Sequence, residues 1–317
     1  MLKLLITRNL PDRVIAKARE YFDVTYRDRP QVMTPDEMRH SLQDHDVVLP
    51  TLGDLYRAEI FDAVPNPRCK LLANFGVGYN HIDVNAARAA GIAVTNTPGA
   101  VTDATADIAI MLMLMTCRRA GEGERLVRAG AWEGWHPTQL LGLHLSGKTL
   151  GVVGMGRIGQ AIAHRAHYGF GMTIKYYNRS QKKIDVPSEQ VGLLTDLASQ
   201  VDVMVTAVPG GAETKHLINA EIFDAMQSHA HFVNIARGDV VKETDLIDAL
   251  QTGKIAGAGL DVYEFEPKVP DALIRMENVT LLPHLGTAAL EVRESMGMMA
   301  VDNAIAFARG NALPNPV

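Results

Sequence analysis

Residues 149–180, TLGVVGMGRIGQAIAHRAHYGFGMTIKYYNRS, restrict the fold more than any other stretch. An apolar run from Thr149 to Val153 ends in Gly154-Met155-Gly156-Arg157-Ile158-Gly159. A helix-forming segment follows, and a second apolar run, Met172 to Tyr177, closes the unit. Strand, glycine turn, helix and strand in that order turn a G-x-G-x-x-G match into a dinucleotide-binding expectation. A side chain at Gly154 or Gly156 would hold the backbone off a pyrophosphate, and Gly159 lets the helix pack on the strand. The helix N-terminus adds N–H donors and the positive end of its dipole. A plain glycine turn would not require the flanking pattern.

The end of the unit bears on which dinucleotide is bound. An NAD site places Asp or Glu about 20 residues on, against the ribose 2′-hydroxyl. Here the position holds Asn178, followed by Arg179, Ser180, Lys182 and Lys183, and no acid occurs between Glu133 and Asp185. A carboxylate would repel a 2′-phosphate, whereas an amide, a guanidinium and a hydroxyl would bind one. Asn178, Arg179 and Ser180 therefore predict NADP. A solvated basic turn is the plainer alternative.

The 317 residues suffice for two domains and a sizeable core. A net charge of −5 lacks the basic excess that a nucleic-acid or anionic-membrane partner requires. Cys69 and Cys117 have no metal-ligand spacing, so no metal site is expected and both read as reduced thiols. With a strand-like run at Leu2 to Thr7 and no signal-peptide layout, a cytoplasmic location is expected. The apolar stretch Ile108 to Cys117 is too short to cross a bilayer and reads as a buried helix.

Apolar strands alternate with helices throughout, which predicts parallel sheets covered on both faces. In the first third the strands fall at 3–7, 24–26, 46–49 and 70–74. Helices are expected from Pro11 to Tyr21, after Thr34-Pro35-Asp36-Glu37, and near Asp54 to Ala63. No dinucleotide fingerprint appears there. The turn Asn74-Phe75-Gly76-Val77-Gly78-Tyr79-Asn80 follows a strand and could seat a carboxylate on main-chain N–H groups. A strand at 92–95 leads to Pro98-Gly99, a credible crossing between domains, and Thr102 to Thr105 opens a long helix. Residues 121–148 hold both tryptophans, Trp132 and Trp135, in what is either an arm for a partner subunit or a surface loop. Further strands end at Pro209-Gly210-Gly211, at Ala236-Arg237-Gly238-Asp239, at Asp261 and at Pro283-His284.

Arg237, Asp261 and His284 thus lie at or just beyond strand carboxyl ends, the edge where open α/β sheets bind ligands. Glu266 follows in the loop after Asp261. Alone, each has an ordinary explanation: a surface cation, a helix cap, a loop histidine. Their shared edge makes joint coincidence less credible, although fold by itself does not fix function.

The stretches GMGRIGQAIAHRA, NIARGDVV, GAGLDVYEFEP and PHLGTAALEVRESM, with NFGVGYNHID before them, resemble the D-2-hydroxyacid dehydrogenase family in their usual order. Within it, AWEGWHP resembles the glyoxylate/hydroxypyruvate reductase and glycerate dehydrogenase branch. The resemblance implies that Arg237 pairs with the substrate carboxylate and polarises its keto oxygen. It makes His284 the acid that protonates that oxygen, with Glu266 holding the histidine charged. An unperturbed histidine titrates near pH ~6.5, and a neighbouring carboxylate favours the cation. Val77 and Gly78 would bind the carboxylate through main-chain N–H groups. Asp261 would orient the nicotinamide carboxamide, with Thr105, Ile235, Ala236 and Gly286 close by. Met155, Arg157 and Ile158 would meet the pyrophosphate, and Val208, Pro209 and Thr214 the adenosine end. Thr51, Leu52 and Trp135 would line the substrate pocket, Trp135 from a neighbouring subunit.

The resulting expectation is two doubly wound, Rossmann-like α/β domains. Residues 1–98, completed by 286–317, form the substrate domain, and the NADP domain, 99–285, is inserted into it. Hinges are expected near Pro98-Gly99 and His284-Gly286. The expected function is NADPH-dependent reduction of glyoxylate and hydroxypyruvate in a homodimer. A reductase for another 2-keto or sugar acid, or a nucleotide-sensing, corepressor-like binding protein, would share the fold.

Overall fold

A computed structural model describes residues 1–317. The chain forms two compact units, Met1–Val101 with Thr287–Val317, and Thr102–Gly286.

The smaller unit runs β1 (Lys3–Ile6), α1 (Asp12–Tyr21), β2 (Asp23–Tyr26), α2 (Pro35–Asp44), β3 (Val47–Leu49), α3 (Ala58–Asp62), β4 (Leu71–Ala73), α4 (Val84–Ala89) and β5 (Ala93–Thr95). Its sheet is wholly parallel, in the order β2-β1-β3-β4-β5. Continuous apolar strands suit a sheet covered on both faces, and Val47–Leu49 and Leu71–Ala73 are fully buried. Helix α2 opens on a capping box: Thr34 Oγ1 accepts from Glu37 N at 3.2 Å, and the Glu37 carboxylate accepts from Thr34 N at 2.8 Å. The helix expected from Asp54 begins only at Ala58. Asp54 is fully buried, and its carboxylate accepts from Thr7 Oγ1 at 2.6 Å, Thr51 N at 2.9 Å and Met33 N at 3.0 Å. Those bonds join three separate segments and hold the start of the expected helix as loop.

The larger unit begins with α5 (Thr102–Cys117) and α6 (Ala120–Arg128) and continues through β6 (Thr149–Val153), α7 (Arg157–Phe170), β7 (Thr173–Tyr177), β8 (Ser188–Gln190), α8 (Leu194–Ser199), β9 (Val203–Thr206) and α9 (Ala220–Ala225). It ends with β10 (His231–Asn234), α10 (Glu243–Gln251), β11 (Gly257–Leu260), α11 (Asp271–Ile274) and β12 (Val279–Leu281). Its seven strands are parallel, in the order β12-β11-β10-β9-β6-β7-β8. The order reverses between β6 and β9, so the glycine turn after β6 sits at the topological switch point, where such sheets open a crevice. One core packs α8, α9 and α10 through Leu197, Phe223 and Leu246, and the other packs α5 and α7 through Leu112, Met113 and Ile162. Thr116 of α5 donates to the Ala258 carbonyl at 3.1 Å, seating α5 directly on β11. No helix is long and apolar enough to cross a membrane. Helix α12 (Leu290–Ala308) returns to the smaller unit and packs on α1 and β4.

Candidate active site

The glycine turn divides its labour by position. Gly154 has φ +97°, and a Cβ there would stand 2.8 Å from the Ala207 carbonyl oxygen. Gly159 lies so close to the start of the turn that a Cβ would collide with the Gly154 carbonyl. Gly156 differs: its φ is −78°, and a Cβ would meet nothing within 4 Å. Two glycines are therefore required by packing, and the middle one borders open space at the N-terminus of α7. A pyrophosphate fits this cradle, since it needs close backbone approach and helix N–H groups.

Met155 is fully buried, and its N–H donates to Asn178 Oδ1 at 3.1 Å, so its side chain serves the core. Arg157 is exposed at the start of α7, with Ile158 half-buried beside it. Asn178 Nδ2 donates to the Ser180 carbonyl at 2.7 Å. The amide oxygen thus ties the end of β7 to the glycine turn, while its nitrogen holds the loop that follows β7. Arg179 and Ser180 are exposed, and Arg179 pairs with Glu213. Thr214 Oγ1 donates to the Pro209 carbonyl at 2.7 Å, closing the turn that begins after β9 at Val208. Ile235 and Ala236 are almost wholly buried.

Arg237, Glu266 and His284 are gathered at the carboxyl edge of the same sheet, beyond β10, β11 and β12. His284 Nδ1 lies 2.9 Å from Glu266 Oε2. A carboxylate only accepts, so Nδ1 carries the hydrogen and Nε2 is left as the ring's other polar atom. Glu266 Oε1 accepts from Tyr263 N at 3.0 Å. Burial raises the Glu266 carboxyl, but the His284 hydrogen bond and charge, the Tyr263 N–H and the Arg237 guanidinium outweigh it and hold the group below the usual carboxylate range. Burial lowers the proton affinity of Arg237, and the Glu266 and Asp239 charges only partly oppose it. Arg237 Nη1 donates to the Ala236 carbonyl at 2.6 Å.

His284 has φ +56°, an uncommon backbone conformation for a non-glycine residue and one that clusters at functional sites. Asp261 holds it there. The His284 N–H donates to the Asp261 carbonyl at 2.9 Å, and the Asp261 carboxylate accepts from Leu285 N at 2.6 Å and Gly286 N at 2.8 Å. Burial raises the Asp261 carboxyl, opposed by those N–H groups and by the His284 charge. Asp261 thus braces the histidine turn, and Thr105 Oγ1 completes the brace by donating to the Gly286 carbonyl at 3.1 Å.

Asn234 carries an equivalent task that its sequence position did not announce. Its Oδ1 accepts from Thr206 Oγ1 at 2.6 Å and Ala236 N at 3.1 Å, and its Nδ2 donates to the Arg237 carbonyl at 3.0 Å. A buried polar residue ending an apolar strand is the signal that could have exposed it.

In the smaller unit, Asn74 Nδ2 donates to the Gly76 and Gly78 carbonyls, each at 3.0 Å, and Asn96 Nδ2 to the Val77 carbonyl at 2.9 Å. The carbonyls of this turn are therefore committed to side-chain amides. Leu52 stands partly exposed in the turn after β3, beside the buried Thr51. Trp135 is 81% exposed and Trp132 52%. Both cysteines are buried, which pushes their thiols up to about 12. No group of three or more His, Cys, Asp or Glu side chains is placed to hold a metal.

A parallel sheet with a glycine cradle at its switch point, and an Arg, Glu and His at the adjoining edge, defines a dinucleotide-binding dehydrogenase domain. Residues 110–286 match the family described as D-isomer specific 2-hydroxyacid dehydrogenase, NAD binding domain. A glyoxylate reductase of Thermococcus onnurineus is 42% identical, over 99% of this chain and 95% of its own. A glycerate dehydrogenase of Hyphomicrobium methylovorum is 39% identical, over 95% and 94%. Among solved structures, an NADPH-dependent glyoxylate/hydroxypyruvate reductase of Sinorhizobium meliloti, in complex with NADP and malonate, superposes with a TM-score of 0.87 at 37% identity, covering 100% of this chain and 96% of that one. The chain belongs to the D-2-hydroxyacid dehydrogenase family, on its glyoxylate/hydroxypyruvate reductase branch.

Proposed function

We propose that this protein reduces small 2-keto acids, glyoxylate and hydroxypyruvate foremost, to 2-hydroxy acids with NADPH. The observation that carries this is the His284–Glu266 pair, 2.9 Å apart and set beside Arg237 at the sheet edge next to the nucleotide cradle. A bound nicotinamide nucleotide would supply the hydride. Charged His284 gives its Nε2 proton to the keto oxygen as the carbonyl is reduced, and Glu266 stabilises the cation through Nδ1 beforehand. Arg237 binds the substrate carboxylate and draws charge from the developing alkoxide. In the smaller unit, the main-chain N–H groups of Val77 and Gly78 are the candidates for holding a carboxylate.

Preference for NADPH is supported by the lack of an acid at 178–180 and by Arg179, Ser180, Lys182 and Lys183. Arg179 pairs with the exposed Glu213, a contact that a 2′-phosphate would have to displace. Asp261, Thr105 and Gly286 form the nicotinamide end of the site, and Val208, Pro209 and Thr214 the adenosine end. The exposed Trp132, Trp135 and Leu141 support a homodimer built around this segment. His284→Ala tests the assignment: turnover of glyoxylate falls roughly 10²–10⁴-fold while NADPH affinity holds. Near-normal turnover would remove His284 as the acid.

A further inference from the structure

We propose that Glu264 and His216 are positioning residues that hold Glu266 in register with His284. The inference rests on the acid–base role of His284 and Glu266 given above and deepens it.

The loop Val262–Pro267 carries two carboxylates with different partners. Glu266 faces His284. Glu264, two residues earlier, is only 12% exposed at its side chain and pairs with His216 instead. Its Oε1 accepts from His216 Nε2 at 2.7 Å, and its Oε2 accepts from the main-chain N–H of Glu243 at 3.2 Å. In return, the Glu264 N–H donates to Glu243 Oε1 at 3.3 Å.

Glu243 is the first residue of α10, and its N-cap, Lys242, provides no side-chain acceptor. Glu264 therefore caps this helix from a distant segment, with its negative charge at the positive end of the dipole. The exchange reproduces a capping box between residues 21 positions apart. A helix end satisfied in this way fixes the loop as firmly as the loop fixes the helix.

The loop is also pressed onto the arginine turn. A Cβ at Gly238, the residue after Arg237, would collide with the main chain of Tyr263 and Glu264. Tyr263, between Val262 and Glu264, gives its N–H to Glu266 Oε1 and its hydroxyl to the Leu282 carbonyl at 2.9 Å. Displacement of Glu264 therefore moves the donor that orients Glu266. His216 is fixed in turn: its N–H donates to the Asp239 carbonyl at 2.8 Å, and its φ of +54° is costly for a non-glycine residue. The charged groups around this node are His216, Glu264, Glu243, Asp239 and Lys242, the last paired with Asp245 at 3.0 Å. Burial raises the Glu243 carboxyl, and the Glu264 charge adds to that rise despite the N–H contact.

The test compares Glu264→Ala, Glu264→Gln and His216→Ala with the parent in the full chain. Four readouts are needed: steady-state glyoxylate reduction across pH, NADPH affinity, thermal unfolding, and the NMR titration of the His284 ring without substrate, assigned by its loss in His284→Gln. Bracing predicts that the alanine variants lose roughly tenfold in kcat with NADPH affinity unchanged. The alkaline limb of the rate profile and the ring titration both move to lower pH. Glu264→Gln, which keeps an accepting oxygen, recovers most of the activity. Lower thermal stability with an unmoved limb and ring titration would make Glu264 a structural cap only and overturn the proposal, as would unchanged kcat in both alanine variants. Should the parent reduce no keto acid, the ring titration still decides: a shift supports the brace while the reductase reading fails, and no shift overturns the brace itself.

Discussion

Gly156→Ala separates what the fold needs from what the nucleotide needs. Gly156 has φ −78° and ψ −164°, a backbone that alanine adopts without strain, and its added Cβ would meet no atom within 4 Å. The folded state therefore loses no packing. Restricting the unfolded chain offers a gain of about 0.4–1 kcal/mol at such positions, so the variant is expected to melt at or slightly above the parent temperature. In the proposed site, the open space at that position is where a pyrophosphate would approach the backbone. A methyl group there would break one or two charge-assisted hydrogen bonds, worth about 1.5–3 kcal/mol each. At roughly 1.4 kcal/mol per decade, NADPH affinity falls about 10- to 20,000-fold. Thermal unfolding of the free protein and a fluorescence titration with NADPH measure the two effects separately. Gly159→Ala is the control: its Cβ strikes the Gly154 carbonyl, so stability falls along with binding. A Gly156→Ala protein that binds NADPH as tightly as the parent would refute the cradle assignment, however well it folds.

Three further outcomes are expected. His231, 8% exposed at the start of β10, has its proton affinity lowered by burial, from 6.5 to about 4. The unfolded chain binds this proton and the folded chain does not, so stability is fully present above pH 6.5 and drains away as pH falls toward about 4. At about 1.36 kcal/mol per unit, the parent loses of order 2 kcal/mol between pH 6.5 and 5 through this group. Urea unfolding of His231→Phe should show that much less acid sensitivity; equal sensitivity would exclude His231. At the cofactor site, Glu213→Gln releases Arg179 and lowers the KM for NADPH about two- to fivefold, as expected for an exposed pair, while NADH is unaffected. Arg179→Ala weakens NADPH much more than NADH, and equal losses for the two nucleotides would mean that Arg179 does not read the 2′-phosphate.

Legibility in the sequence followed the range of the interactions involved. The unit from Thr149 to Tyr177 was plain because its strand, glycines and helix interact within a few residues of one another. Helix α1, expected from Pro11 to Tyr21 and observed from Asp12 to Tyr21, was legible for the same reason. The loop at Asp54 was not, since the buried carboxylate is satisfied by Thr7 and Met33, which local propensity does not see. Helix α6 was merged into an irregular arm because its segment holds few apolar residues. The shared sheet edge of Arg237 and His284 was legible from their places at strand ends, and the contact of Glu266 with His284 from the resemblance. Asn234, Glu264 and His216 were not, because each acts across parallel crossovers that bring together residues 28, 21 and 48 positions apart.

Measurement of kcat/KM for glyoxylate, with NADPH and NADH side by side, tests the central claim most directly. Efficient turnover with a clear NADPH preference is expected, abolished by His284→Ala without loss of nucleotide binding. Tight NADPH binding with no turnover on glyoxylate, hydroxypyruvate or larger 2-keto acids would contradict the claim.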